Sequence, residues 1–366
     1  MPTSRLHQLS ELGQSVWIDS LSREMLETGE LERLIRGDAV VGVTSNPTIF
    51  EKALSTGSWY DAQLAEVLER EDDLKEVFVA LEVDDVRDAC DVLRPTWERT
   101  DRVDGRVSIE VDPDIAYDRP ATYAEAMRLH ELVDRLNAYV KIPATEPGLG
   151  AIEDCIAAGK PINVTLVFSL ERYAAVVEAY IRGVERLVDR GGDPAQVDSV
   201  ASFFVSRVDT EADRRLAELG REDLAGKLAV ANAKLAYVHY RETFAGGRWQ
   251  RLAAAGARAQ RCLWASTSTK NPAYSDVLYV DELIGPETVN TMPLETVEAF
   301  QDHGTIRETL TEGVDEARAL FDDLAAAGVD YDDVVATLEK EGVQKFSDSF
   351  AQLLAGIEAK RGALAV

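Results

Sequence analysis

A chain of 366 residues is long enough for two average domains or for one α/β barrel with insertions, and length alone does not decide between them. With 46% apolar side chains, few prolines and no low-complexity tract, it can bury a sizeable core, which excludes intrinsic disorder. Its formal charge of −27 has the wrong sign for neutralising a phosphate backbone, which excludes nucleic acid and requires any cationic site for an anionic substrate to be local.

Short β-branched runs alternate with longer stretches of helical period from end to end, the pattern of a parallel sheet covered by helices. The runs are Val16–Asp19, Val40–Ser45, Val107–Asp112, Tyr139–Pro143, Ile162–Val167, Val200–Val205, Ala259–Ala265 and Thr288–Thr291. Eight such runs predict a (β/α)8 TIM barrel. Helices are expected over Leu21–Ile35, Tyr123–Asn137, Leu170–Asp189 and Thr210–Phe244, with Gly or Pro at many of their ends. The segment 47–104 exceeds one crossover and carries Val83, Val86, Cys90 and Leu93 at helical spacing, so it reads as a helical insertion after the second strand. The tail 294–366 is again helical, with Val334, Leu338, Phe346, Phe350, Leu353 and Leu354 packing over the barrel. One domain over 1–366 is the expectation. The acidic stretches Asp61–Glu76 and Glu82–Asp91 read as solvated helix faces.

Cys90, Cys155 and Cys262 are widely spaced and form no C-x-x-C pair, so neither a disulfide framework nor a zinc site is expected and a reducing cytoplasm fits best. Residues 1–15 show no apolar signal core, and no run approaches the roughly 18 apolar residues of a membrane span. A soluble cytoplasmic protein without a membrane partner is expected. His7, His130, His239 and His303 have no metal-ligand spacing. Gly148-Leu149-Gly150 is followed by Glu153 where a dinucleotide fingerprint needs its third glycine, and no G-K-[ST] loop exists, so no nucleotide cofactor is indicated.

Barrel strands buried on both faces normally read as continuous apolar runs. In Val107-Ser108-Ile109-Glu110-Val111-Asp112 apolar and polar residues instead alternate, one face each. The same alternation sets Val16 and Ile18 against Asp19, Val41 and Val43 against Thr44 and Asn46, Val140 and Ile142 against Lys141, and Ile162 and Val164 against Asn163 and Thr165. On a barrel these polar side chains point inward near the strand C-termini, where barrel enzymes place their chemistry. Half-exposed antiparallel strands would alternate in the same way, but the long helices between the runs argue against them. A purely structural buried ion pair is the competing reading of Lys141 and Glu110. Asp19 and the two asparagines beside them favour catalysis.

These residues fall in motifs that resemble the transaldolase family in its longer bacterial form, within the class I Schiff-base aldolases. The motifs are Trp17-Ile18-Asp19-Ser20, Val43-Thr44-Ser45-Asn46-Pro47-Thr48, Ile109-Glu110-Val111-Asp112, Val140-Lys141-Ile142-Pro143-Ala144-Thr145, Ile162-Asn163-Val164-Thr165-Leu166-Val167-Phe168-Ser169 and Ser202-Phe203-Phe204-Val205-Ser206-Arg207. The likeness covers nearly the whole chain. It implies transfer of a dihydroxyacetone unit between sugar phosphates, with sedoheptulose 7-phosphate and glyceraldehyde 3-phosphate giving erythrose 4-phosphate and fructose 6-phosphate. It further implies that Lys141 attacks the ketose carbonyl, that Asp19 is the acid/base at carbon–carbon cleavage, and that Glu110 serves the carbinolamine steps through a water held by Thr165. Asn46 and Asn163 would bind hydroxyls of the three-carbon unit, supported by Thr44 and Ser202, with Phe204 in the same wall.

After the seventh strand the family commonly presents a serine and a basic residue to the phosphate. Here the stretch is Ala265-Ser266-Thr267-Ser268-Thr269-Lys270, without arginine, so Arg207 and Ser266 rank ahead of Ser268 and Lys270 as phosphate ligands. The implied chemistry is physically coherent. A free lysine is charged at neutral pH and an amine attacks only when unprotonated, so a reacting lysine needs a desolvated site. A protonated imine is itself an electron sink, the role a metal ion otherwise fills, so no cofactor is implied. The alternatives are a fructose-6-phosphate-type aldolase on the same barrel and a catalytically silent sugar-phosphate-binding protein; the presence of Lys141, Asp19 and Glu110 together speaks against silence. Monomer and homodimer both remain open.

Overall fold

The β-branched runs form strands in the computed structural model, which describes residues 4–364. They are β1 (Gln14–Asp19), β2 (Val40–Thr44), β3 (Arg106–Glu110), β4 (Ala138–Pro143), β5 (Ile162–Val167), β6 (Ser199–Phe204), β7 (Arg261–Ala265) and β8 (Thr288–Met292). Each pairs in parallel with its neighbours, and β8 pairs with β1, so the sheet closes into an eight-stranded barrel in sequence order. Helices follow the strands on the outside. The apolar parity of the strands, Val16, Ile18, Val43, Ile109, Val140, Ile142 and Val164, is wholly buried against them. Burying each such side chain contributes about 1.5–3 kcal/mol, which commits that face outward and the polar parity inward.

Large side chains fill the barrel below its C-terminal end. Trp17 on β1 and Tyr139 on β4 meet across the interior with ring centroids 6.2 Å apart. Trp17 fits because its neighbour on β2 is Gly42, where an added Cβ would lie 2.5 Å from the indole ring. Arg106 stacks over Tyr139 at 4.7 Å and reaches both carboxylate oxygens of Asp198 at 2.6 Å, and Arg261 pairs with Asp104 at 3.0 Å. Arg106 and Asp198 are buried but paired, as buried ions must be, and the Arg261–Asp104 pair is partly buried.

The observed helices refine the sequence reading. Leu170–Asp189 has its expected bounds, with Ser169 accepting from the Arg172 amide at its start. The expected helix Leu21–Ile35 is two, Arg23–Glu27 and Glu30–Gly37, because Gly29 between them adopts a left-handed φ of 74°. The expected helix Tyr123–Asn137 is displaced to Arg119–Val133, since Asp118 caps the Ala121 amide at 3.0 Å and Asp134 turns left-handed at the far end. The long stretch Thr210–Phe244 divides into Ser206–Glu218 and Leu228–Ala245. Asp209 accepts from the Ala229 amide at 2.7 Å and Asp213 from the Gly226 amide at 2.8 Å, so two side chains of the first helix cap the start of the second.

Between β2 and β3 run the helices Pro47–Ser55, Asp61–Leu68 and Leu74–Arg99, the last burying Val83, Val86, Cys90 and Leu93. One sequence expectation fails here. Glu82 and Asp85 belong to the stretch read as a solvated face, yet both are buried. Asp85 is held by Arg23 at 2.6 Å and by the Tyr60 hydroxyl at 2.6 Å, contacts made by residues far away in sequence. After β8 come Leu294–His303, Val314–Ala327 and the 34-residue helix Tyr331–Leu364. The last helix brings Phe346 to the barrel mouth, packs on Pro47–Ser55, and is tied down by Arg215–Asp333 at 2.6 Å and Thr48–Ser349 at 2.7 Å. Among the described residues no helix is long and apolar enough to cross a membrane.

Gly42→Ala should lower stability by about 1–3 kcal/mol, the usual cost of overpacking, because the Trp17 ring has Tyr139 behind it and little room to retreat. Urea denaturation of both proteins measures this; an unchanged midpoint would mean that the interior layer is loosely packed.

Candidate active site

Strand register brings the polar parity together at the C-terminal mouth. Lys141 on β4 lies opposite Glu110 on β3 and Asn163 on β5. Its amine donates to the Ser45 carbonyl at 2.9 Å and sits 3.2 Å from Glu110 Oε2, with both side chains almost fully buried. The Ser45 backbone is anchored in turn by its own hydroxyl, which donates to the Ser108 carbonyl at 2.9 Å. Among the described residues neither oxygen of Glu110 accepts a hydrogen bond of good geometry, so the contact with Lys141 is chiefly Coulombic. Burial raises the Glu110 carboxyl above its ordinary value, Lys141 opposes this, and the charge of Asp19 adds to it.

Asp19 ends β1. Its Oδ1 accepts from Thr44 Oγ1 at 2.8 Å, and Thr44 Oγ1 lies 2.7 Å from Thr291 Oγ1 on β8. A hydroxyl has one hydrogen; Thr44 gives its own to the carboxylate, so Thr291 donates to Thr44. Burial raises the Asp19 carboxyl, while Lys141, the Thr44 hydrogen bond and Arg207 pull it down. Two carboxyls thus flank one amine, each displaced upward by burial and each with a different set of partners. That is an arrangement suited to separate acid/base roles.

On the other wall, Asn163 donates to Ser108 Oγ at 3.0 Å and accepts from Ser202 at 2.7 Å, which sets its amide orientation. Thr165 sits where the β5–β6 register shifts, next to Leu166 at φ 59°, and its hydroxyl has no hydrogen-bond partner within the protein. Backbone strain of this kind at a bulge re-aims a side chain. Arg207 begins the Ser206–Glu218 helix, lies over the Phe204 ring at 5.1 Å and keeps Nη1 without a hydrogen bond. Desolvation by burial lowers its pKa from the usual guanidinium value, and among the described residues it forms no ion pair. Ser266 adopts a left-handed φ of 56° directly after β7, its hydroxyl 2.9 Å from that of Ser206, and Lys270 donates to Ser268 at 2.5 Å.

One cavity of about 200 Å³ is lined by Asp19, Thr44, Asn46, Lys141, Thr165 and Ser202, together with Phe204, Arg207, Ser266, Ser268 and Lys270. Of the residues singled out in the sequence, Asn163 and Glu110 do not line it; Asn163 lies beneath Ser202, and Glu110 lies behind Lys141. Asn46 also caps the Pro47–Ser55 helix through the Ile49 amide at 3.1 Å. Thr291 and Phe346 line the cavity without having been singled out as site residues. The Thr288-Val289-Asn290-Thr291 run is polar on both parities, so alternation does not flag Thr291, and Phe346 lies far away in sequence on a helix that reads as packing. Among the described residues no three His, Cys, Asp or Glu side chains converge in a way that could hold a metal ion.

Comparison with known proteins agrees with this geometry. The family model described as Transaldolase/Fructose-6-phosphate aldolase matches residues 16–357. A transaldolase of Acidothermus cellulolyticus is 55% identical over 358 residues, covering 97% of this chain and 96% of its own. A transaldolase of Mycolicibacterium paratuberculosis is 53% identical over 362 residues, covering 98% and 97%, and one of Mycobacterium tuberculosis is 52% identical over 354 residues, covering 95% of each. With a barrel of this architecture, a buried lysine at its mouth and such likeness along almost its whole length, the chain belongs to the transaldolase/fructose-6-phosphate aldolase family.

Proposed function

We propose that this enzyme is a transaldolase moving a dihydroxyacetone unit between sugar phosphates through an imine on Lys141, converting sedoheptulose 7-phosphate and glyceraldehyde 3-phosphate to erythrose 4-phosphate and fructose 6-phosphate. The observation that carries this reading is the Lys141 amine, buried at a cavity wall with Glu110 at 3.2 Å and with Asp19 and Arg207 in the same site. Lys141 gives its proton to Glu110 and, as the free amine, attacks C2 of the donor ketose. The carbinolamine loses water, with Glu110 supplying the proton through a relay water held by Thr165. Asp19 then takes the proton of the C4 hydroxyl, the C3–C4 bond breaks, and its electrons flow into the imine to give an enamine. The acceptor aldehyde reverses these steps, Asp19 returning the proton.

Asn46 and Ser202 face the three-carbon unit, with Asn163 orienting Ser202 from below. Arg207, Ser266, Ser268 and Lys270 form the phosphate end, next to the positive terminus of the Ser206–Glu218 helix. Phe204 and Phe346 cover the enamine with apolar surface, which slows its protonation by water and favours transfer over the release expected of an aldolase. The imine is the electron sink, so the reaction needs no cofactor. Cys90, Cys155 and Cys262 are free and buried, in keeping with a cytoplasmic enzyme.

Borohydride with fructose 6-phosphate should leave a reduced three-carbon adduct on Lys141, located by peptide mass spectrometry. In Asp19→Ala the imine should still be trapped while turnover falls by about 10²–10⁴-fold. An adduct on another lysine refutes the Lys141 mechanism, and near wild-type turnover in Asp19→Ala would make that residue structural.

The deprotonated form of Asp19 is the base, and burial holds its pKa above the ordinary value, so kcat/KM should rise with pH through that raised pKa. Thr44→Val removes a hydrogen bond that lowers it, and should move the acidic limb to higher pH. A limb that stays in place would show that Asp19 does not govern it.

Arg207→Ala should reduce kcat/KM for fructose 6-phosphate by about 10–100-fold, the worth of a hydrogen bond to a charged group, and should hardly affect an unphosphorylated ketose. Lys270→Ala, measured alongside, apportions the second cation. Equal losses on both substrates would place the phosphate elsewhere.

A further inference from the structure

Lys141 and Glu110 face two different cavities. Lys141 lines the cavity of about 200 Å³ described above, whereas Glu110 lines a second one of about 400 Å³, bounded by the Leu74–Arg99 and Arg119–Val133 helices. The two side chains form an ion pair of 3.2 Å. The rim of the second cavity carries paired charges: Lys75 meets Asp112 at 2.6 Å and Asp114 at 2.9 Å, and Arg128 meets Glu76 and Glu125 at 2.9 Å each. Phe78, Val79 and Phe350 form apolar walls. Glu82 also lines this cavity, is only 3% exposed, and makes no hydrogen bond or ion pair within the described residues. A carboxyl in that position costs stability unless something offsets it, which asks for a reason.

The imine steps supply one, if Lys141 acts as proposed above. When the imine forms, the C2–O bond of the carbinolamine breaks, the nitrogen lone pair becomes the second C–N bond, and the oxygen leaves as water carrying a proton from a carboxylic acid. Hydrolysis runs the reverse: water adds to C2 and yields a proton to a carboxylate. At both moments sugar fills the front cavity, so the water and the proton need another way to and from Glu110. We propose that the second cavity is the water compartment of the imine steps, and that Glu82 is the positioning residue there, keeping a proton that it exchanges with Glu110 through water. Glu110 lines the second cavity and meets the first only through its contact with Lys141.

The electrostatics agree with the geometry. Burial raises the Glu82 carboxyl well above its ordinary value, Glu110 on β3 and Asp85 on its own helix push it further, Lys141 on β4 opposes, and Glu125 on the facing helix adds to the rise. At the rim Lys75 and Arg128 each pair with two carboxylates, Asp112 and Asp114 for the first and Glu76 and Glu125 for the second, so the rim keeps a net negative charge. Glu82, with no cation in contact, therefore gives up its proton less readily than Glu110, which has Lys141 at 3.2 Å, and a second negative charge beside Glu110 is disfavoured.

The test follows oxygen exchange at C2 of fructose 6-phosphate in ¹⁸O-labelled water, read by mass spectrometry after subtracting the spontaneous rate. Wild-type enzyme should catalyse exchange and form the borohydride-trapped adduct on Lys141. If it does neither, the imine reading itself fails, and the wild-type result alone shows this. Val79→Phe, which fills the second cavity, and Glu82→Gln should each slow exchange by about 10-fold or more while leaving the equilibrium amount of trapped imine unchanged. Wild-type exchange should decline as pH rises through the raised Glu82 pKa, because the acid loses its proton. Glu82→Gln should be slow throughout and lack that limb, and Glu82→Asp should restore part of it. Wild-type exchange in folded Val79→Phe overturns the water compartment, and an unaltered rate and pH profile in Glu82→Gln overturns the role of Glu82. Should Glu82→Gln fail to fold, Glu82→Asp and Val79→Phe carry the same decision.

Discussion

An amine buried beside a carboxylate inside a closed barrel is the constraint on which the rest of this structure depends. Taking both charges out of water costs several kcal/mol for each ion, and their mutual attraction repays this only in part. Here the geometry is held by a chain of contacts: Lys141 reaches both Glu110 and the Ser45 carbonyl, and Ser45 is tied to Ser108 on the strand that carries Glu110. The same pair that burdens the fold keeps the amine desolvated and next to a carboxylate. Removing either partner would leave the other as an uncompensated buried charge.

Below this pair the barrel is closed by bulk and by paired charge, with Trp17 against Gly42, Tyr139 under Arg106, and Arg106 on Asp198. A packed lower half confines the open volume to the C-terminal mouth, where loops and the C-terminal helix complete it. Backbone strain appears at that mouth, in Leu166 beside Thr165 and in Ser266 after β7. Both lie where a residue must leave regular strand geometry to present its side chain to the cavity.

Charge works on two length scales. With a net charge of −27 the protein's far field repels a sugar phosphate, so recognition must be short-ranged. Arg207, proposed above for that task, is desolvated, forms no ion pair among the described residues and lies over Phe204 at the start of a helix. The other cationic candidate, Lys270, is more exposed and already donates to Ser268. Ranking Arg207 and Ser266 above Ser268 and Lys270 is therefore a difference of environment rather than of distance from the cavity, since all of them line it.

The barrel and the inward polar parity, with the residues proposed above to react, were legible in the sequence, because period-2 alternation is a local property and one buried face admits only one orientation of each strand. Strand ends were read to within one or two residues for the same reason. Helix breaks at Gly29 and between Ser206–Glu218 and Leu228–Ala245 were not, since left-handed turns and side-chain caps interrupt a pattern whose hydrophobic period continues across them. Thr291 and Phe346 entered the site only through closure of β8 on β1 and the return of the last helix over the mouth. Glu82 is the clearest case. In the sequence it is one acid in a run of acids on a helix, indistinguishable from solvated neighbours; it faces Glu110 because a helix inserted after β2 packs beside β3, and that juxtaposition exists only in the tertiary structure.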